Sequence, residues 1–210
     1  GSGSGGNASL ITASQGITDT NLLVDSGFSL RELTRRLQRA GSDPTELDAI
    51  FITHEHGDHM GGVARLARRF GLPVWLTAGT YRGAGAPRLP KVNLFNPHEP
   101  FAIQDLSIHP YPVPHDAREP CQFVFSDGAM RLGVLSDAGH VTPHMQRSLD
   151  GLDALMLEFN HDPDLLARGP YPPELQARVG GRLGHLNNGQ AVQLLENLDR
   201  GALQHLIAGH

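Results

Sequence analysis

The feature that most constrains this chain is a segment of three histidines and one aspartate between an apolar run and a stretch of helical periodicity. Residues 49–52 before it are typical of a strand and residues 63–70 after it of a helix, which predicts a strand-to-helix loop. Two of the histidines are two residues apart, so an extended backbone turns both imidazoles to one side. Such imidazole and carboxylate groups indicate a zinc, manganese or iron site rather than a solvated polar loop. The segment reads Thr53-His54-Glu55-His56-Gly57-Asp58-His59-Met60-Gly61-Gly62.

The composition of the 210-residue chain limits the classes of protein to which it can belong. A hydrophobic content of 39% is enough for a core, and we expect a single domain over residues 1–210. No stretch approaches the roughly 18 apolar residues of a membrane span, so we expect no membrane partner. The lone Cys121 excludes an internal disulfide and favours a cytoplasmic location. The net charge of −5 argues against a broad nucleic-acid-binding face, although all but one of the 17 Lys and Arg residues are arginine.

Strand and helix signals alternate along the chain and indicate an α/β protein with several antiparallel hairpins. A capping box at Ser29 opens the first helix, Asp127-Gly128 indicates a type I′ turn, and residues 82–91 show no clear pattern. This order suits two sheets packed face to face with helices outside. We predict strands at 8–13, 20–24, 48–53, 73–77, 101–103, 106–110, 121–125, 130–135, 153–158 and 203–208. We predict helices at 29–40, 62–70, 142–149, 162–168, 174–180 and 187–199.

The histidine-rich segment resembles the signature of hydrolases with the metallo-β-lactamase fold. Other motifs, distributed over the whole chain, resemble one bacterial branch of that superfamily, the WalJ/YycJ-type group, whose described members are 5′-to-3′ DNA exonucleases. The resemblance implies a four-layer αβ/βα sandwich with a metal site at one edge, and it implies further chain before residue 1 and after residue 210. The motifs are Gly1-Ser2-Gly3-Ser4-Gly5-Gly6-Asn7, Leu23-Val24-Asp25-Ser26-Gly27, His115-Asp116, Ser136-Asp137-Ala138-Gly139-His140, Glu158-Phe159-Asn160-His161-Asp162, Gly184-His185-Leu186-Asn187-Asn188 and Ala208-Gly209-His210.

Carried over residue by residue, the family pattern implies seven ligands for two divalent ions. We expect zinc, with manganese or iron as alternatives. Two such ions can share a hydroxide that attacks a phosphodiester, and Asp58 would also hold this hydroxide in line. The implied ligands are His54, His56 and His115 for the first ion, Asp58, His59 and His210 for the second, and Asp137 as a bridge between them.

Three positions are candidates for contact with a substrate. His185 stands at a helix start and would contact a phosphate or donate a proton to the leaving oxygen; the alternative is a plain helix-entry histidine. Ser4 and Asn7 lie in a glycine-rich loop that would bind a phosphate through backbone N–H groups; the alternative is a tight turn. The resemblance also makes Asp25 a hydrogen-bonding support of the metal loop. Two histidines are implied only as supports of ligands: His140 and His161.

These features predict a dinuclear-metal-dependent phosphodiesterase that uses a metal-bridging hydroxide, and more narrowly a 5′-to-3′ exonuclease with DNA as its substrate. The alternative keeps the metals and changes the substrate to a small molecule: a cyclic phosphodiester, a thioester, a lactone or a β-lactam. A third interpretation, a subunit that uses the site only for structure, is disfavoured because the ligand set is complete. A homo-oligomer is left open by the sequence.

Overall fold

In the computed structural model of this protein, residues 1, 3–14, 16 and 18–209 are described. The chain forms two compact units, Gly1–Leu106 with Ala117–Pro120 and Ser107–Asp116 with Cys121–His210. Each unit has a sheet and its own buried core, so the prediction of an α/β protein with two sheets is confirmed. The expectation of a single domain stays a prediction. Within the described ranges, no helix is long and apolar enough to cross a membrane.

The first unit is built on a sheet whose strands follow the order of the chain. The strands of this sheet are β1 (Ser9–Ser14), β2 (Asp19–Val24), β3 (Ala49–Phe51), β4 (Pro73–Thr77) and β5 (Lys91–Phe95); the unit also contains β6 (Phe101–Ile103), which is not part of this sheet. Its helices are α1 (Leu30–Arg39), α2 (Gly57–Met60), α3 (Val63–Phe70) and α4 (Ala78–Gly83), with a 3-10 helix at Pro44–Glu46. The strands β1 to β5 lie side by side in that order; β1 and β2 are antiparallel and the other neighbours are parallel. Because β2 and β3 are parallel, the loops that follow them leave the sheet at the same end, next to the carboxyl ends of both strands.

The core of the first unit explains why these segments form their elements. All three residues of β3 are buried, as expected for a strand in the middle of a parallel sheet. The helix α1 buries Leu33 and Leu37, which are four residues apart and so lie on one face. Phe51 stacks on Trp75 with 6.0 Å between ring centroids, and Phe101 stacks on both rings. The strand β3, which leads into the histidine-rich segment, is therefore fixed in part by this aromatic stacking.

The second unit is also built on one sheet. Its strands are β7 (Leu106–Pro112), β8 (Cys121–Ser126), β9 (Arg131–Leu135), β10 (Ala154–Glu158) and β11 (His205–Gly209). Its helices are α5 (Pro143–Leu149), α6 (Pro163–Arg168), α7 (Pro173–Val179) and α8 (Asn188–Asn197). The strands lie in the order β11-β10-β9-β8-β7; β7, β8 and β9 are antiparallel neighbours, and β9, β10 and β11 are parallel neighbours. In its core the buried Tyr111 hydroxyl donates to the carbonyl oxygen of Val134 at 2.6 Å, and the Cys121 thiol is also buried.

Two predictions about local structure are wrong: the capping box at Ser29 and the type I′ turn at Asp127-Gly128. The Glu32 carboxylate does not complete the capping box; it pairs with Arg35 and Arg36, while the Ser29 oxygen accepts the Glu32 N–H as expected. The hairpin of β8 and β9 closes through the four residues 127–130, with Asp127 accepting two backbone N–H groups, and not through a two-residue type I′ turn.

Residues 78–95 were also predicted incompletely. The helix α4 begins after Thr77, whose hydroxyl oxygen accepts the N–H of Thr80, and β5 pairs in parallel with β4. Neither element has a clear periodicity of its own, since the first is short and the second alternates weakly. Tertiary pairing with β4 decides the structure of β5, whereas from the sequence residues 82–91 showed no clear pattern.

Candidate metal centre

The histidine-rich segment begins where β3 ends, and backbone contacts fix it. The Asn7 N–H donates to the carbonyl oxygen of Asp58 at 2.7 Å, and the Ser26 N–H donates to that of His59 at 2.7 Å. A Cβ on Gly27 would lie 1.6 Å from the Asp58 carbonyl oxygen, so only glycine allows this approach. Two neighbouring segments of the first unit therefore determine the backbone that carries the candidate ligands.

The three histidine rings of this segment lie together. The ring centroids of His54 and His56 are 4.6 Å apart, and those of His54 and His59 are 4.1 Å apart. His54 and His59 are buried, whereas His56 is partly exposed. The structure thus brings together the three imidazoles that the motif predicts as ligands in this unit.

Asp25 and Thr53 orient two of these rings from the ends of β2 and β3. An Asp25 carboxylate oxygen lies 2.8 Å from Nδ1 of His59, and the Thr53 hydroxyl lies 2.9 Å from Nδ1 of His54. The same hydroxyl donates to Asp25, which links the two supports. Because Nδ1 of each ring is bonded to a support, a ligand role falls to Nε2. Asp25 therefore has the geometry of the expected support, while the role of Thr53 was missed despite its place directly before the first histidine.

Asn7 lies on two of the predicted ligands. Its side-chain nitrogen is 3.1 Å from Oδ2 of Asp58 and 2.9 Å from Nε2 of His59, and those two ligand atoms are 3.6 Å apart. Its side-chain oxygen accepts the Gly3 N–H at 2.9 Å. Asn7 therefore connects the glycine-rich loop to Asp58 and His59, and its predicted contact with a substrate stays a prediction.

The glycine-rich loop uses part of its backbone hydrogen-bonding capacity internally. The N–H of Gly3 bonds to Asn7, and the N–H of Gly6 donates to the carbonyl oxygen of Gly3 at 2.9 Å. Both glycines have a positive φ, and Ser4 is exposed in the turn between them. For these two N–H groups the observation favours the tight-turn alternative over phosphate binding.

In the second unit, His115 is buried in the loop after β7. Its Nδ1 donates to the carbonyl oxygen of Gly184 at 3.0 Å, and its Nε2 lies 3.4 Å from an oxygen of Asp116. Burial lowers the pKa of His115 below its ordinary value, against the opposing charges of Asp137 and Asp116. A neutral imidazole is the form that binds a metal, so this environment suits the predicted ligand.

Glu158 connects the remaining polar residues of this unit. It is buried at the end of β10 and accepts hydrogen bonds from Nδ1 of His185 at 2.7 Å and from the N–H groups of Ala138 and Leu186. An oxygen of Asp137 lies 3.6 Å from the same His185 nitrogen. No role for Glu158 was predicted from the sequence, although a carboxylate at the end of an apolar strand was the signal that could have indicated one.

His185 is held in one orientation but stays partly exposed. Burial lowers its pKa, but the hydrogen bond and charge of Glu158, together with Asp137, raise the pKa above the ordinary value of histidine. The ring lies 5.3 Å from that of His115. With Nδ1 bonded to Glu158, Nε2 is the nitrogen that can meet a substrate. A histidine that only begins a helix would not need a buried carboxylate to fix its ring in this way.

Two aspartates at strand ends have left-handed backbone. Asp25 follows β2 with φ 62°, and Asp137 follows β9 with φ 53°. This conformation costs a residue with a side chain about 1–2 kcal/mol, although aspartate tolerates it better than most. Strain of this kind concentrates at functional sites, where surrounding hydrogen bonds hold it. Left-handed backbone at Asp25, an expected support, and at Asp137, a predicted ligand, therefore agrees with a functional role for both residues.

The other predicted residues have simpler environments. His210 lies outside the described residues, so its role as a ligand stays a prediction. Glu55 accepts the backbone N–H of residue 118 at 2.8 Å. Nδ1 of His140 lies 2.8 Å from the carbonyl oxygen of residue 182, and His161 forms a backbone bridge with residue 187.

The donor chemistry of each unit fits a divalent cation. The first unit offers three imidazoles and the Asp58 carboxylate, and the second offers His115 and Asp137. Nitrogen and carboxylate ligands of this kind suit zinc, manganese or iron. A carboxylate bonded to the far nitrogen of a ligating histidine is a recurring feature of metal sites, and Asp25 supplies one.

A family model described as the β-lactamase superfamily domain matches residues 20–208. This range contains every predicted ligand except His210 and all strands of the second unit up to β11. The chain therefore belongs to the β-lactamase superfamily, and membership implies divalent metal binding.

Within the superfamily, the chain is similar to two proteins of the branch that its motifs indicate. Exodeoxyribonuclease WalJ of Streptococcus pneumoniae serotype 2 is 31% identical over 215 residues, which cover 100% of this chain and 78% of that protein. Exodeoxyribonuclease YycJ of Bacillus anthracis is 28% identical over 213 residues, which cover 100% and 79%. The crystal structure of the metallo-β-lactamase fold protein YhfI from Bacillus subtilis matches with a TM-score of 0.70 at 21% identity, over 97% of this chain and 79% of that one. The predicted branch and fold are thereby confirmed.

Proposed function

We propose that this metal-dependent hydrolase is a nuclease that cleaves the phosphodiester bonds of DNA from a 5′ end. The observation that carries the proposal is the similarity over the whole chain to two relatives named exodeoxyribonucleases. The imidazoles of the first unit, two of them oriented through Nδ1, support the metal-dependent part of the proposal. The 5′ polarity and the preference for DNA over RNA come from the family resemblance.

We assign two divalent ions to the protein, with zinc as the first candidate. When bound, two such ions supply a hydroxide at neutral pH and offset the negative charge that develops on the reacting phosphate. The supports of His54 and His59 and the lowered pKa of His115 agree with this assignment. The proposed ligands are His54, His56, Asp58 and His59 from the first unit, His115 and Asp137 from the second, and His210.

The chain's own residues would orient the reactants and move a proton. Asp58 would hold the attacking water in line through its carboxylate, which Asn7 already positions by a hydrogen bond. His185 would donate a proton from Nε2 to the leaving oxygen, because Glu158 bonds its Nδ1 and so fixes the ring. Glu158 acts through His185 and is a positioning residue.

The proposal is tested by parallel assays on the protein loaded with zinc or manganese. The substrates are DNA and RNA with 5′-phosphate ends, bis-p-nitrophenyl phosphate and a chromogenic cephalosporin. We expect DNA to be shortened from its 5′ end, bis-p-nitrophenyl phosphate to turn over slowly, and the cephalosporin to remain intact. If the cephalosporin turns over faster than any nucleic acid, the small-molecule alternative replaces the nuclease.

A further inference from the structure

A cavity of about 570 Å³ lies in the first unit between the start of α1 and the helix α3. Arg65 and Arg68 line it from α3 and are three residues apart, so they share one face of that helix. Ser29 and Leu30 line it from the N-terminus of α1, and three glycines at positions 27, 61 and 62 contribute bare backbone. The cavity is an open groove with two guanidinium groups, and we call it the arginine groove.

The charge of the arginine groove is positive. None of the described residues that line it is acidic, and within residues 18–209 neither Arg65 nor Arg68 pairs with a carboxylate. The nearby Glu32 carboxylate forms salt bridges with Arg35 and Arg36, at 2.7 and 2.8 Å. The N-terminus of the ten-residue α1 adds partial positive charge through its first N–H groups. An anion is therefore the ligand that this groove favours, on a chain whose net charge is −5.

The arginine groove adjoins the backbone that carries the candidate ligands. Gly27 lines the groove and also packs against the Asp58 carbonyl, and the Gly61 N–H donates to the carbonyl oxygen of Gly57 at 2.8 Å. The groove and the ligands Asp58 and His59 thus lie on the same short segment.

We propose that the arginine groove binds backbone phosphates of the nucleic-acid strand whose end is cleaved at the metal centre; this inference rests on the proposed nuclease function. Guanidinium groups bind phosphate oxygens in pairs of hydrogen bonds, and exposed arginines lose little hydration in doing so. Each phosphate contact on a single strand contributes a slope of about −0.7 to the dependence of log affinity on log salt.

The test is the double variant Arg65→Glu/Arg68→Glu of the metal-loaded protein, with Arg69→Glu as its control. Arg69 lies on the same helix, stacks over Phe70 at 5.6 Å and does not line the groove. The substrates are a 5′-phosphorylated 12-nucleotide DNA strand and bis-p-nitrophenyl phosphate, which has one phosphodiester group and no further backbone phosphates. We expect KM for the strand to rise about tenfold or more, and the salt slope of kcat/KM to become shallower by about 1.4, which corresponds to two lost contacts.

The small substrate separates the possible outcomes. A raised KM and a shallower salt slope on DNA, with unchanged turnover of bis-p-nitrophenyl phosphate by the double variant and parent-like behaviour of Arg69→Glu on both substrates, support the groove. A double variant with the parent's KM and salt slope on DNA overturns the groove and leaves the nuclease proposal intact. A parent that cleaves bis-p-nitrophenyl phosphate but no nucleic acid overturns both. If charge reversal damages turnover of the small substrate, Arg65→Gln/Arg68→Gln is judged by the same criteria.

Discussion

The polar clusters of the two units are assembled in different ways. In the first unit, His54, His56, Asp58 and His59 lie within six consecutive residues, and their supports come from the ends of two adjacent parallel strands. In the second unit, the cluster of His115, Asp137, Glu158 and His185 comes from four separate segments of the chain. The first cluster can therefore be recognised in the sequence as a motif, whereas the residues of the second come together only when their sheet forms.

The two clusters also use their buried carboxylates differently. Asp25 bonds one histidine ring and the hydroxyl of Thr53, which bonds a second ring. Glu158 bonds the single ring of His185 and two backbone N–H groups next to Asp137 and His185. We therefore expect the support in the first unit to govern metal affinity and the support in the second to govern a proton-transfer step.

The largest effect is expected from removal of a ligand in the first unit. His59→Ala should lower DNA cleavage to background and reduce the metal content, because the buried ring supplies a ligand and bonds Asp25. Elemental analysis and an exonuclease assay measure the two effects, and His109→Ala, at an exposed position, is the control. A His59→Ala protein with the parent's metal content and rate would remove His59 from the ligand set.

The next effect concerns the second unit. His185→Ala should slow DNA cleavage by roughly 10²–10⁴-fold, the range for a lost general acid, while the metal content stays at the parent level. Single-turnover kinetics and elemental analysis on the same preparations test this, with the exposed His144→Ala as the control. Cleavage at the parent rate would exclude His185 as the acid, and loss of metal would make it a ligand instead.

A matched pair of neutral substitutions compares the two supports directly. Asp25→Asn should weaken metal binding about 10–100-fold, the usual consequence of losing the partner of a ligating histidine. Glu158→Gln should lower kcat and leave metal affinity closer to that of the parent, since it acts through His185. Competition with a chelator measures the affinity and steady-state assays measure kcat. Equal losses of metal affinity in the two variants would contradict the difference drawn between the units.

The smallest effect is expected away from both clusters. Thr142→Ala removes the side-chain oxygen that accepts the Met145 N–H at the start of α5, and should lower the free energy of unfolding by about 1 kcal/mol. For a protein of this size, the melting temperature should fall by roughly 2–4 °C. Calorimetry measures the shift, and Thr142→Ser, which keeps the hydroxyl, should recover most of it. A fall in metal content with Thr142→Ala would show that the capping residue reaches the metal centre.

Local pattern determined most of the secondary structure and failed where long-range contacts compete. The strand at 73–77 and the helix at 63–70 were predicted to within one residue, because apolar spacing and flanking glycines act within a few residues. The strand β5 was missed, because its stability comes from pairing with β4. The Glu32 carboxylate was misassigned, because two arginines further along the helix compete for it.

By itself, the sequence determined the superfamily, its WalJ/YycJ-type branch and the candidate ligands of the histidine-rich segment, since these depend on residue types at short, fixed spacing. Only the tertiary structure decided that Thr53 bonds the first histidine, that Asn7 lies on Asp58 and His59, and that Glu158 holds His185. The physical reason is that a hydrogen bond between distant residues needs a particular pair of strand ends to emerge side by side. That arrangement follows from strand order and direction, which no local spacing encodes.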